Sequence, residues 1–207
     1  MEAMASMKDK AFELAIVDPP YGIGAGKGTE IYLSNNGKQD WKGKNKNDFT
    51  IYGDWDDSIP DEKYFTELFR VSINQIIWGG NYFLDYLGRT NGFAVWDKMN
   101  GTNPMADAEL AWTSFNKSTK MFRMHHFSAG YDAKIHPTQK PIALYGWILR
   151  NYAKPGQRIL DTHLGSGSSA IAAHYFGCDF VGCEIDVDYF NAAKERFDRE
   201  TRQVAMF

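Results

Sequence analysis

Asp18-Pro19-Pro20-Tyr21 stands directly after the apolar run Phe12–Val17 and brings an acid, a rigid proline backbone and an aromatic ring within four residues. Two prolines forbid further strand or helix, so a buried strand stops there and its loop carries the acid. The trio suits a planar base bearing an amine. The carboxylate and the Pro19 carbonyl accept from the NH2 group, and Tyr21 stacks on the ring. The plainer reading is a proline-stopped strand with a capping aspartate. A second arrangement occupies the last third of the chain. Asp161-Thr162-His163-Leu164-Gly165-Ser166-Gly167 links a strand to a helix, and about twenty residues later Glu184 closes the next strand. Glycines let a ligand approach the backbone, and open amides at a helix start attract a carboxylate or phosphate. Glu184 is then placed to accept from two ribose hydroxyls. Loop and acid together point to a nucleoside-containing ligand, against the alternative of a tight turn with a surface glutamate.

Other chemistries find less support. Gly22 to Gly28 is no phosphate-binding P-loop, because Gly28 follows Lys27 where Ser or Thr is needed and no helix comes after it. The tandem His125-His126 and the two cysteines, Cys178 and Cys183, lack ligand spacing, so no metal is expected.

The elements that must position these residues alternate between strand and helix. After a short helix within residues 1–10 come a strand at 12–17 and a loop over 22–57, long enough to be functional or mobile. A helix at 61–72 precedes strands at 75–78, 92–96, 109–115 and 121–127. Helices at 141–152, 166–176 and 188–199 then alternate with strands at 158–161 and 179–183. This order predicts an α/β domain with a mostly parallel sheet. A length of 207 residues fits a single domain. With 43% apolar and 24% charged residues the chain folds rather than staying disordered. No apolar run nears the 18 residues of a membrane span and no signal peptide opens the chain, so a cytoplasmic protein without membrane contact is expected. Two cysteines exclude a disulfide framework and fit a reducing compartment. The net charge of −3 confines any nucleic-acid contact to a local patch.

Asp18-Pro19-Pro20-Tyr21 resembles the catalytic motif of amino-methyltransferases that act on adenine or cytosine in DNA. His136-Pro137-Thr138-Gln139-Lys140-Pro141, followed by helix, strand and the Gly165-Ser166-Gly167 loop, looks like the cofactor-binding half of the same family. With the catalytic motif first and the cofactor loop last, the order is similar to that of the circularly permuted beta class. Ile76-Ile77-Trp78-Gly79-Gly80-Asn81-Tyr82-Phe83 resembles small phage or prophage adenine enzymes. The resemblance implies a Rossmann-like methyltransferase sheet with helices on both faces. It implies S-adenosylmethionine as methyl donor, DNA as partner, and a part in restriction-modification. Asp161 would lie near the methionine end, Gly165, Ser166 and Gly167 would line the loop, and Glu184 would bind the ribose. Gln139 and Lys140 would sit around the methionyl carboxylate, and Asp18, Pro19, Pro20 and Tyr21 would hold the target base. The target base would be flipped out of a duplex or single-stranded. Alternatives are cytosine N4, adenine in RNA, a protein amide, or a non-catalytic nucleic-acid-binding subunit.

Three departures from the family pattern carry expectations. Asp161-Thr162-His163 replaces the usual Asp-Pro-Phe, with His163 in the place of a packing aromatic. An upstream strand that members usually carry is missing, which predicts partner contact there, as in a homodimer, or a stunted sheet. The stretch at 98–135 is short for a recognition region. Residues 115–140 carry Lys117, Lys120, Arg123, Lys134 and Lys140 against one acid, Asp132. Lys117, Lys120 and Arg123, with the loop residues Lys27, Lys38, Lys42, Lys44 and Lys46, are the expected phosphate-contacting rim.

Overall fold

The structure is a computed structural model that describes residues 2–24, 56–101, 106–125, 135–136 and 138–202. Seven strands form one sheet: β1 (Phe12–Val17), β2 (Ser72–Trp78), β3 (Phe93–Asp97), β4 (Ala108–Thr113), β5 (Lys120–Arg123), β6 (Arg158–Asp161) and β7 (Asp179–Gly182). Their order across the sheet is β5-β3-β4-β2-β1-β6-β7, and β4 alone runs against its neighbours. The helices are α1 (Glu2–Ala5), α2 (Glu62–Val71), α3 (Ile142–Tyr152), α4 (Ser168–Phe176) and α5 (Val187–Thr201).

β1 reads Phe-Glu-Leu-Ala-Ile-Val because both of its faces are covered, as in a parallel sheet clad by helices. Leu14 and Ile16 pack with Leu144 and Ile148 of α3 and Ala172 of α4. Ala15 and Val17 pack on the other face with Met4 of α1 and Tyr64, Phe65 and Leu68 of α2. Helices thus cover both faces. α2 buries Tyr64, Phe65, Leu68 and Val71, one stripe of its surface, and Asp61 caps its start by accepting from the Tyr64 amide at 3.0 Å.

The sheet reverses its winding between β1 and β6. β1 leads through α2 to β2 on one side, while β6 leads through α4 to β7 on the other. The two strands pair in parallel, Ala15 beside Leu160, so Asp18 and Thr162 leave the carboxyl ends of adjacent strands. This is the switch point at which open α/β sheets bind ligands.

Element boundaries differ in places from the sequence reading. β2 begins at Ser72 rather than 75, because Ser72 turns extended and its hydroxyl closes α2 on the Leu68 carbonyl at 2.6 Å. α4 begins at Ser168 rather than 166, because Gly167 adopts a left-handed conformation as its cap. The strand expected to end at Phe127 ends at Arg123, with 126–134 outside the described residues. Most of the 22–57 loop also lies outside them, with Lys27, Lys38, Lys42, Lys44 and Lys46. Part of the 98–135 stretch belongs to the sheet: β4 and β5 fall within it.

Candidate active site

Asp18 follows the last residue of β1 and its two oxygens are both engaged. Tyr21 donates its hydroxyl to Oδ1 at 2.5 Å, and Lys140 donates to Oδ2 at 2.5 Å. Burial, then the charge of Asp18, raises the Tyr21 hydroxyl well above its ordinary range, so it stays a donor. The backbone after the prolines is pinned by Asp56, whose Oδ1 accepts from the amides of Tyr21 at 2.6 Å and Gly22 at 3.0 Å. Asp56 is a buried acid that sequence reasoning missed, since nothing in the Asp56-Asp57 pair marks one as structural.

The Tyr21 ring is stacked on Tyr82, centroids 5.1 Å apart, and meets Phe83 edge-on. Gly79, at φ +68°, makes room for it: a Cβ there would collide with the ring. The Gly79-Gly80 pair that ends β2 is therefore a seat for the aromatic of the first motif.

Lys140 departs from its expected role. Its side chain is 4% exposed and bonds Asp18, with Glu109 Oε2 at 3.0 Å, so it belongs to the carboxylate cluster rather than standing free for a cofactor carboxylate. Burial would lower its pKa, but Asp18 and Glu109 outweigh that and hold it above the ordinary lysine value. Gln139 is also committed, its side-chain carbonyl accepting from the Ile135 amide at 3.1 Å.

On β6, Asp161 is 1% exposed and accepts from the His163 amide at 2.9 Å and the Ser169 hydroxyl at 2.6 Å. Burial raises its pKa to about 7. Its two bonds fold the glycine loop back on the strand. Thr162 meets the Tyr64 hydroxyl at 2.7 Å, tying α2 to the same loop. His163, at 3.0 Å from Thr162 and packed edge-on against Tyr64, is pushed by burial to a pKa of about 4 and is neutral. It fills space as an aromatic would.

Glu184, just past β7, accepts from the Gly165 amide on Oε2 and from the Ile185 and Asp186 amides on Oε1, at 2.8, 2.9 and 3.1 Å. A carboxylate has about four acceptor sites, so capacity remains for a ligand hydroxyl. Gly167 must be glycine: its φ is +74° and a Cβ would lie 3.3 Å from Ala193 of α5. Ser166 presents its carbonyl to Arg196 of the same helix at 2.8 Å. A cavity of about 390 Å³ opens between Pro20, Asp61, Tyr64, Thr162, His163 and Cys183, at the switch point. A slightly larger groove, about 420 Å³, lies between α4, β7 and α5, away from Asp18.

The expected basic rim is only partly present. Lys117 donates to the Asn151 carbonyl at 2.7 Å and lies over the Phe115 and Tyr152 rings, capping the end of α3. Arg123 pairs with Asp97 at 3.2 Å. Lys120 is exposed and makes no ion pair among the described residues. Lys134 lies outside them. No cluster of potential metal ligands occurs among the described residues.

An acid and an aromatic after one strand thus stand beside a glycine loop and a second acid at the neighbouring strand ends. Residues 94–195 match the family model described as DNA methylase. This stretch is similar to DNA methylases. Among relatives, the Type II methyltransferase M.HpaI of Haemophilus parainfluenzae is 23% identical over 241 residues, spanning 97% of this chain and 72% of its own length. The solved M1.HpyAVI–SAM complex has a TM-score of 0.57 at 18% identity, covering 95% of this chain and 92% of that one. PvuII DNA methyltransferase, cytosine-N4-specific, has a TM-score of 0.59 at 11% identity over 96% of this chain and 86% of its own. At these identities the structural likeness establishes the fold alone.

Proposed function

We propose that this chain transfers a methyl group from S-adenosylmethionine to the exocyclic amine of adenine in DNA. The observation that carries the reading is the placement of Asp18 and the Gly165–Gly167 loop at the ends of paired strands β1 and β6. When bound, the cofactor supplies a methyl group on a sulfonium. The residues fit it: Glu184 keeps acceptor capacity for ribose hydroxyls, the glycine loop gives close backbone approach, and the cavity beside Pro20 and Thr162 is of ligand size.

The chemical obstacle is the amine, whose lone pair is delocalised into the ring. Asp18 and the Pro19 carbonyl draw its two hydrogens out of the ring plane, which localises the lone pair toward the methyl. Tyr21, seated on Tyr82, offers a π-face to a base removed from its stack. Holding the amine in line and aiming fixed acceptors at the growing positive charge supply the rate.

Adenine is favoured by the likeness of Asp18-Pro19-Pro20-Tyr21 to adenine enzymes. Cytosine N4 is the second reading, because a cytosine-N4 enzyme shares the fold. Incubation with methyl-labelled S-adenosylmethionine and mixed DNA, followed by mass spectrometry of the nucleosides, separates N6-methyladenine from N4-methylcytosine. Asp18→Ala should lower the transfer rate at least about a hundredfold with cofactor affinity within a few-fold. Near-parental turnover by that variant removes Asp18 from the reaction.

A further inference from the structure

The charges that end on Asp18 begin three strands away. Lys98, just past β3, places Nζ 2.5 Å from Glu109 Oε1. Glu109 Oε2 lies 3.0 Å from Lys140 Nζ, which in turn lies 2.5 Å from Asp18 Oδ2. Two cations and two anions alternate, and the set is neutral. An ammonium as enclosed as that of Lys140 must keep an anionic partner at all times, because a lone buried charge is very costly.

Lys140 also occupies a position that a substrate needs. An amine entering the site has to donate to Asp18, where Tyr21 and Lys140 now donate. Glu109 offers the way out. Its Oε2 is fully buried and, though close to Lys140, has no aligned hydrogen bond. The rings of Trp78 and Tyr21 flank the ammonium, 5.3 and 5.9 Å from Nζ, and favour a cation across that space.

We propose that Glu109 is a positioning residue that takes over the Lys140 ammonium when the amine of the base claims Asp18. The idea rests on the methyl-transfer reading and adds the exchange that opens the site. No covalent bond forms or breaks in it and no proton changes owner: the base N–H replaces the Lys140 N–H on Asp18, and Lys140 donates to Glu109. Burial would raise the Glu109 pKa, but Lys140 and Lys98 hold it below the ordinary value, so it is an anion ready to accept.

Glu109→Gln keeps the shape and removes the charge. It should lower kcat at least about tenfold while the cofactor Kd stays within twofold. Glu109→Asp, with the charge one methylene back, should give an intermediate kcat. The pH profile separates this from a structural role. Lys140 faces Asp18 and Tyr21 from the β1 loop, Glu109 from β4 and Trp78 from β2, with His136 in electrostatic reach and Tyr145 of α3 in reach of Asp18 and Glu109. Lys98 faces Glu109 from β3. With Glu109 neutralised, Lys140 should lose its proton at lower pH and the alkaline limb of kcat should move down; in Glu109→Asp it should stay near the parent's. In a Lys140→Met background, Glu109→Gln should cost nothing further. Parental kcat and pH profile in Glu109→Gln, or an equal loss in the Lys140→Met background, overturns the proposal. If Glu109→Gln does not fold, parental kcat in Glu109→Asp overturns it. A parent that binds the cofactor but methylates no DNA defeats the functional reading itself. The exchange is then judged by NMR titration of labelled Lys140, which must shift downward in Glu109→Gln.

Discussion

Asp161 and the two half-buried histidines, His136 and His163, pull stability in opposite directions with pH. His136 and His163 are both held at about 4 by burial, His136 further by the charge of Lys140. Between about pH 4 and 6.5 the unfolded chain therefore binds two protons that the folded chain does not, which makes stability rise with pH. Asp161, raised to about 7, does the reverse: the folded chain holds a proton that the unfolded chain has released. The net difference is one proton, so stability should climb by roughly 1.4 kcal/mol per pH unit across that window. Asp161→Asn removes the opposing group and should about double the slope, with the variant gaining on the parent as pH rises. Urea denaturation at pH 4.5, 5.5 and 6.5 measures both slopes, and parallel curves for parent and variant would mean that Asp161 is ionised in the fold. The sequence made Asp161 visible as a site acid. Its burial without a basic partner among the described residues was not visible, because that depends on Ser169 and His163 closing over it.

At the level of elements, α5 acts on the glycine loop from behind. Arg196 is 5% exposed, and its guanidinium donates to the Ser166 carbonyl and the Ser168 hydroxyl, both at 2.8 Å. A helix that reads as an ordinary amphipathic segment thus carries a buried cation that fixes the loop. Arg196→Met should cost about 1.5–3 kcal/mol, the usual worth of hydrogen bonds to a charged group. It should also weaken cofactor binding, read by denaturant midpoint and calorimetry in parallel; an unchanged midpoint would show that the loop holds its own shape. Motifs that end strands were legible because proline, glycine and acid act locally. Arg196, Asp56 and Glu109 were not, because each reaches its partner across the fold. Glu109 bears on Asp18 only because β4 is inserted antiparallel beside β2. The bond of Lys117 to the Asn151 carbonyl was hidden for the same reason, since it reaches across 34 residues.

Across the whole molecule, the α/β class and the order of elements followed from strand and helix alternation, and the switch point followed from the two motifs. The antiparallel placing of β4 had no signal in a six-residue strand. The order in which the sheet is filled bears on how the chain is made. β1 is an interior strand, held between β2 and β6, yet β6 starts only at Arg158. During synthesis at about 5–20 residues per second, β1 waits roughly seven to thirty seconds with one apolar edge unpaired. The site cannot exist in that interval, since half of it has not been translated. A chain stopped after Tyr152 should be sticky, binding a hydrophobic dye and pelleting where the full chain stays dispersed. A dispersed, protease-resistant fragment would show that the first five strands close without β6. The growing chain is thus a client for chaperones until its last third emerges, and a premature stop there leaves an aggregation hazard as well as an inactive enzyme.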